Sequence, residues 1–243
     1  MTADVRYIHY HAWWMGMGRT TTTSDLLYAY VAENLLETWM PPDHSQDWLL
    51  RRTLTGQRRW LLGDESQVNS PGWHTGERRA PYGDFSAADE HRTPSESPPG
   101  QWHRPNSAWL DDLPRDPGLL IDRLRTAIPG HRRGDALLLH YAAQAGRSGQ
   151  LPADLAVTLY QGLASLPGVI TRESVANLDG RPGTALVAED ESSIEELIIE
   201  LDAGAFLGER TTLTAAMDGI PAGTVTAFTS MSTAWVDAPG VTP

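Results

Sequence analysis

The chain has 243 residues, of which 40% are apolar and 21% charged, enough to bury one large core or two small ones. It holds no cysteine, and all 19 basic residues are arginine. That excludes disulfides, thiol nucleophiles, cysteine-bound metals, Schiff-base lysines and the lysine of a phosphate loop. The net charge is −12, and residues 159–243 carry three arginines against twelve acids, a balance that repels nucleic acid and anionic membranes.

Val5 to Trp14 places Val5, Tyr7, His9, His11 and Trp13 on one face and Arg6, Ile8, Tyr10, Ala12 and Trp14 on the other, the period of a strand. Gly16 to Ser24 reads as a Gly/Thr turn region. Leu26 to Met40 is a long strand ended by Pro41-Pro42. Asp47–Leu54 and Gln57–Leu62 read as a hairpin about Thr55-Gly56. Connections this short make the sheet antiparallel. Residues 63–106, rich in Pro, Gly, Ser, His and charge, read as one long surface loop. Its His74, His91 and His103 are better explained as solvated side chains than as metal ligands.

Asp116-Pro117 is a helix start, with Leu120, Ile121, Leu124 and Ile128 as its apolar stripe. A second helix is expected over Gly134–Ala145. Pro152 opens a third, on which Leu155, Leu159 and Leu163 recur every fourth residue, and Leu166-Pro167-Gly168 closes it. Strands resume at Val169–Glu173, Thr184–Ala188, Ile194–Leu201, Ala205–Thr214 and Thr224–Val236, with turn residues such as Asp179-Gly180 between them. The expected architecture is α+β: one domain over 1–243, with N-terminal strands (1–62), the loop (63–106), a helical insertion (107–166) and C-terminal strands (167–243).

Several motifs carry a family likeness: Glu37-Thr38-Trp39-Met40-Pro41-Pro42-Asp43, Trp48-Leu49-Leu50-Arg51-Arg52, Trp60-Leu61-Leu62-Gly63, Leu113-Pro114-Arg115-Asp116-Pro117 and Asn177-Leu178-Asp179-Gly180-Arg181-Pro182-Gly183. In this order they resemble an actinobacterial group of uncharacterised membrane-anchored proteins, some of them anti-sigma-associated. The likeness runs from about Val5 to Val236. The outer domain of that group is similar to the half-barrel sheets of periplasmic lipoprotein carriers and of the RseB-type stress sensor, which hold acyl chains on a concave face. The resemblance implies a curved half-barrel, an extracytoplasmic location, and membrane tethering through a segment absent from this chain. The sequence by itself has no signal or spanning segment and leaves a cytoplasmic location open. The resemblance brings no catalytic residues.

His9 and His11 face the same way, and Glu37 on a neighbouring strand is the nearest candidate for a third metal ligand. Any alternating strand produces this spacing, and a hydrogen-bonded pair on the sheet accounts for it better. Eight of the nine tryptophans fall in residues 1–109. They pack a core or line an apolar groove, for which Tyr7, Trp13, Trp39 and Trp48 are the candidates. Glu195 and Glu196 point to opposite faces of their strand, so they are no acid–base pair, and Arg210 is expected to pair across strands. Arg51-Arg52 and Arg58-Arg59 read as a solvated hairpin tip. No hydrolase, Walker or dinucleotide fingerprint occurs.

The expectation is a non-enzymatic binding or sensor domain for an apolar or amphipathic small molecule, a lipid or a protein partner. No cofactor, resident metal or nucleic acid is expected. The ligand-binding residues would be Tyr7, His9, His11, Trp13, Glu37, Trp39 and Trp48. An enzyme on the same scaffold, using a cavity with His9 and His11, is the alternative.

Overall fold

A computed structural model describes residues 4–20, 25–68, 73–85, 98–129 and 134–243. Among them, nine strands form one open antiparallel sheet: β1 (Val5–Arg19), β2 (Leu26–Met40), β3 (Asp47–Leu62), β4 (Gly76–Pro81), β5 (Ile170–Ala176), β6 (Pro182–Glu189), β7 (Ser193–Glu200), β8 (Ala205–Leu213) and β9 (Val225–Val236). Their order is β4-β3-β2-β1-β9-β8-β7-β6-β5. The two ends of the chain therefore build one half of the sheet each and join where β1 meets β9. The class is α+β.

Two expectations about β3 and its sequel are corrected. Thr55-Gly56 does not reverse the chain; β3 runs straight through it. Between Asn34↔Leu54 and Ala32↔Arg58, β2 advances two residues while β3 advances four. The surplus is a bulge, with Gly56 at φ 82° and the Gln57 amide donating to the Thr55 hydroxyl. Glycine marks a bulge as readily as a turn, and fifteen residues of β2 are long enough to pair both segments. The stretch 63–106 is not one loop either. It contains a short turn at Glu65–Gln67 and the edge strand β4, which pairs with β3 from Asp47↔Pro81 to Arg52↔Gly76. His91 lies outside the described residues.

The helices between β4 and β5 start where their caps dictate: α1 (Ser107–Asp111), α2 (Pro117–Ala127), α3 (Asp135–Arg147) and α4 (Ala153–Ala164). The Asn106 and Asp116 side chains accept from the Trp109 and Leu119 amides, and Pro117 needs no donor in the first turn. α3 lays Leu138, Leu139, Ala142 and Ala143 on β6, β7 and β8, where small residues allow close approach. α4 packs Leu155, Leu159 and Leu163 against α2. Each such buried leucine is worth about 2 kcal/mol.

One face of the sheet, carrying Ile8, Tyr10, Ala12, Leu186, Leu197, Ile199 and Met231, is sealed by these helices into the main core. The other face carries no helix. Its apolar residues collect in separate patches, around Tyr7, Trp39 and Leu49 at one end and around Ala185, Val187, Ile198 and Leu207 at the other.

The seam between β8 and β9 is incomplete. They pair only from Thr212↔Val225 to Arg210↔Phe228, whereas β9 follows β1 all the way to Val5↔Val236. Just past the last pair the two backbones still touch at Gly208 (φ 153°), where a Cβ would stand 2.3 Å from the Thr229 carbonyl oxygen. The β5–β6 hairpin fills the apex of the gap. Asn177 Nδ2 donates to the Leu207 carbonyl on β8, and the Leu178 amide donates to the Thr229 carbonyl on β9.

Candidate functional site

The period-two pattern of β1 sends Tyr7, His9, His11 and Trp13 to the helix-free face. Register brings Trp39 beside Tyr7, Glu37 beside His9 and Glu33 beside Trp13. Six of the seven predicted residues therefore share one face. Trp48 does not: it packs on the helix side, in a recess with Ile8, Thr38 and Tyr82. The irregular turn between β2 and β3 resets the alternation, which no pattern within β3 reveals.

Tyr7, Glu37 and Arg51 form one polar group. The Tyr7 hydroxyl donates to Glu37 at 2.9 Å, and Arg51 donates to Glu37 at 3.2 Å and to Glu77 at 2.8 Å. Burial, then Glu37, raises the Tyr7 pKa. The Arg51 guanidinium lies 4.8 Å from the Trp39 ring centre. Glu37 is thus occupied by Tyr7 and Arg51 and makes no pair with His9.

His11 is clamped. Its Nε2 lies 3.0 Å from Glu33 and its Nδ1 lies 2.6 Å from Asp179 at the tip of the β5–β6 hairpin. Ser230 on β9 donates to the second oxygen of Asp179. The Glu33 pKa is lowered by the Thr55 hydroxyl and, more weakly, by His11, against some desolvation. Burial opposes ionisation of Asp179, yet Ser230 and His11 outweigh it and lower its pKa as well. With a carboxylate oxygen on each side, both ring nitrogens already have a partner within the protein. Serine meets the aspartate rather than the histidine, so the order of a nucleophilic triad is not met either. Among the described residues, no group of three or more His, Cys, Asp or Glu side chains is arranged to hold a metal ion.

Next to this clamp, Trp13, Val31, Val225 and Phe228 wall a hollow of 320 Å³, and Arg59 stands at its rim. Arg59 has no hydrogen-bond or ion-pair partner among the described residues. The four arginines expected at one solvated tip are in fact distributed over both faces. Arg51 and Arg59 lie on the helix-free one. Arg52 is stacked near Trp14 and Trp73 and donates to Asn34, and burial pushes its pKa down to about 10. Arg58 covers Tyr30 and pairs with Glu65.

Glu195 and Glu196 do point to opposite faces. Glu195 accepts from Ser193 and Thr211, while Glu196 meets Arg210, its cross-strand neighbour, and Arg172 at 3.7 Å. On the helix side a second buried carboxylate, Glu209, accepts from the Tyr10 hydroxyl at 2.9 Å and faces Arg147 Nε at 3.4 Å.

The parts sequence reasoning missed are Glu33, Asp179, Ser230, Arg59 and Phe228. Each belongs to a recognisable strand or turn, and only the pairing of β1 with β2 and β9, of β2 with β3, and the reach of the β5–β6 hairpin bring them together. Fold and site together define an open-sheet α+β protein with a polar clamp beside an aromatic hollow. No known protein family, no curated protein and no solved structure matches the chain.

Proposed function

We propose that the chain is a non-catalytic ligand-binding or sensor domain that holds an amphipathic ligand on the helix-free face. The observation that carries this reading is the hollow between Trp13 and Phe228 with the Arg59 guanidinium, unpaired among the described residues, at its mouth. Apolar walls with one charged group at the edge suit a ligand that has an apolar body and an anionic head. The half-barrel scaffold inferred from the resemblance is supported by the reach of the β5–β6 hairpin back to β8 and β9. An extracytoplasmic location and a tether outside this sequence follow from the same resemblance. No helix among the described residues is long and apolar enough to cross a membrane. The enzyme reading is the weaker one, because both nitrogens of His11 and both flanks of Glu37 are already engaged.

The amphipathic anion 1-anilinonaphthalene-8-sulfonate is a direct probe. Saturable fluorescence enhancement is expected, weakened at least fivefold by Trp13→Ala and by Arg59→Gln. No enhancement, or one unchanged in both variants, overturns the assignment of the ligand to this hollow.

A further inference from the structure

A second cavity lies on the opposite side of the sheet, at the open end of the β8–β9 seam. It measures 480 Å³, and both parted strands line it, Ala205–Leu207 from β8 and Met231–Trp235 from β9. Leu151, Pro152 and Tyr160 close it from the helices. Trp235, 62% exposed, stands at its edge.

Three features point to an occupant. Arg6 lines the cavity and has no hydrogen-bond or ion-pair partner among the described residues. Its guanidinium is partly desolvated, which lowers its pKa and leaves an anion the most favourable neighbour it could gain. Tyr160 is only 1% exposed, yet it lines the same cavity, and its hydroxyl has no partner among the described residues either. That hydroxyl reaches into the cavity and can donate to an acceptor placed there. Arg181, the other cation at the wall, is already paired with Glu200.

The third feature is the backbone. Beyond Phe228 the ladder between β8 and β9 stops: Glu209 and Thr229 still bond through the Thr229 hydroxyl, and past them no backbone pair joins the two strands among the described residues. At the apex, the molecule's own Asn177-Leu178 bonds to one carbonyl from each of these strands. The tip of the β5–β6 hairpin already bridges the strands there, with one side-chain and one main-chain donor, and the cleft lies past it.

We propose that this cleft binds an extended peptide by strand addition, with a carboxylate of the peptide held by Arg6 and Tyr160. Main-chain hydrogen bonds to an edge supply affinity in such a mode, and the charged contact supplies specificity. This site is separate from the Trp13 hollow and does not depend on it.

The test is to pan a random octapeptide display library against the whole chain. Enriched peptides should carry Asp, Glu or a free C-terminal carboxylate. Replacing that acid by its amide, or Arg6 by Gln, should weaken binding at least tenfold, with a smaller loss in Tyr160→Phe. Hydrogen exchange should slow at 205–207 and 231–235 on binding. Since Arg6 has no partner among the described residues, Arg6→Gln should keep the wild-type Tm, which separates lost binding from lost folding. Trp13→Ala and Arg59→Gln should leave peptide binding unchanged. The proposal is overturned by a library that yields no enriched family, by peptides that bind Arg6→Gln equally well, or by protection that falls elsewhere. It is also overturned if 4-phenylbutyrate binds in an Arg6-dependent way while no peptide does, since the cleft would then be a site for small acids.

Discussion

His11 and Asp179 are 168 residues apart in the chain, yet Nδ1 of the imidazole sits 2.6 Å from the carboxylate. The contact ties the hairpin at one edge of the sheet to β1, and Glu33 on β2 completes the clamp from the other side. The energetic consequence follows from the charge states. Both carboxylates have pKa values below their ordinary ones, so the folded state favours their ionised forms. That stabilisation is fully present above the unfolded carboxylate range near pH 4 and is lost as pH falls through and below it. Asp179 is half exposed, so solvent screens much of its share.

His11→Ala should therefore cost about 1–2 kcal/mol at pH 7, measured by urea unfolding, and nearly nothing at pH 3. Asp179→Asn should show the same direction with a smaller amplitude. A cost that is equal at both pH values would mean that His11 acts through packing alone.

Gly208 sits where β8 leaves β9, and its conformation is tied to that parting. A methyl group there would meet backbone, the Thr229 carbonyl, which has no rotamer with which to yield. Gly208→Ala is expected to destabilise the fold by at least about 2–3 kcal/mol, read from the urea midpoint. Gly56→Ala, whose Cβ would meet nothing within 4 Å, should cost less, through its positive φ alone.

Much of this fold was readable residue by residue. The alternation from Val5 to Trp14 gave the two faces of β1, and Asp116-Pro117 gave the start of α2, because each signal is local and the structure keeps it. Gly56 was misread because one residue type serves turn and bulge alike. β4 was invisible because Gly76–Pro81 is an edge strand whose Glu77 and Arg79 stay largely in solvent, so no apolar face marks it. The site was less legible than the fold. His11 was identified as a candidate, but its partners lie on β2 and on a distant hairpin, and strand register is not encoded within any one strand. Nothing in the sequence singles out Arg6 or Tyr160, because which side chains lack a partner among the described residues is decided by tertiary packing.

The buried carboxylate of Glu209 offers a separate test of how the two halves are joined. It is 4% exposed, accepts from Tyr10 on β1 and faces Arg147 at the end of α3, so three elements converge on one charge. Burial, followed by the Glu209 charge, raises the Tyr10 pKa, which keeps its hydroxyl a donor across the physiological range. Tyr10→Phe should cost about 1.5–3 kcal/mol, the value of a hydrogen bond to a charged group. Arg147→Met should cost a similar amount, and adding Glu209→Gln should recover part of it, because the stranded charge is then gone. Strictly additive costs in that pair would mean that Arg147 is held by packing rather than by Glu209.

On the helix-free face, Trp39 is fully buried although no helix covers it. Its indole N–H donates to the Val241 carbonyl at 2.6 Å, so the segment after β9 is what seals the ring. Phenylalanine keeps most of the ring's area but has no donor. Trp39→Phe is therefore expected to cost about 1 kcal/mol and to speed amide exchange over residues 238–242. Trp39→Ala also loses the contacts with Tyr7 and Arg51, and should cost about 3–5 kcal/mol. The two variants separate the roles of the indole. If exchange in 238–242 is unchanged in both, the segment is held by contacts other than Trp39, and the ring owes its burial to them rather than to the hydrogen bond.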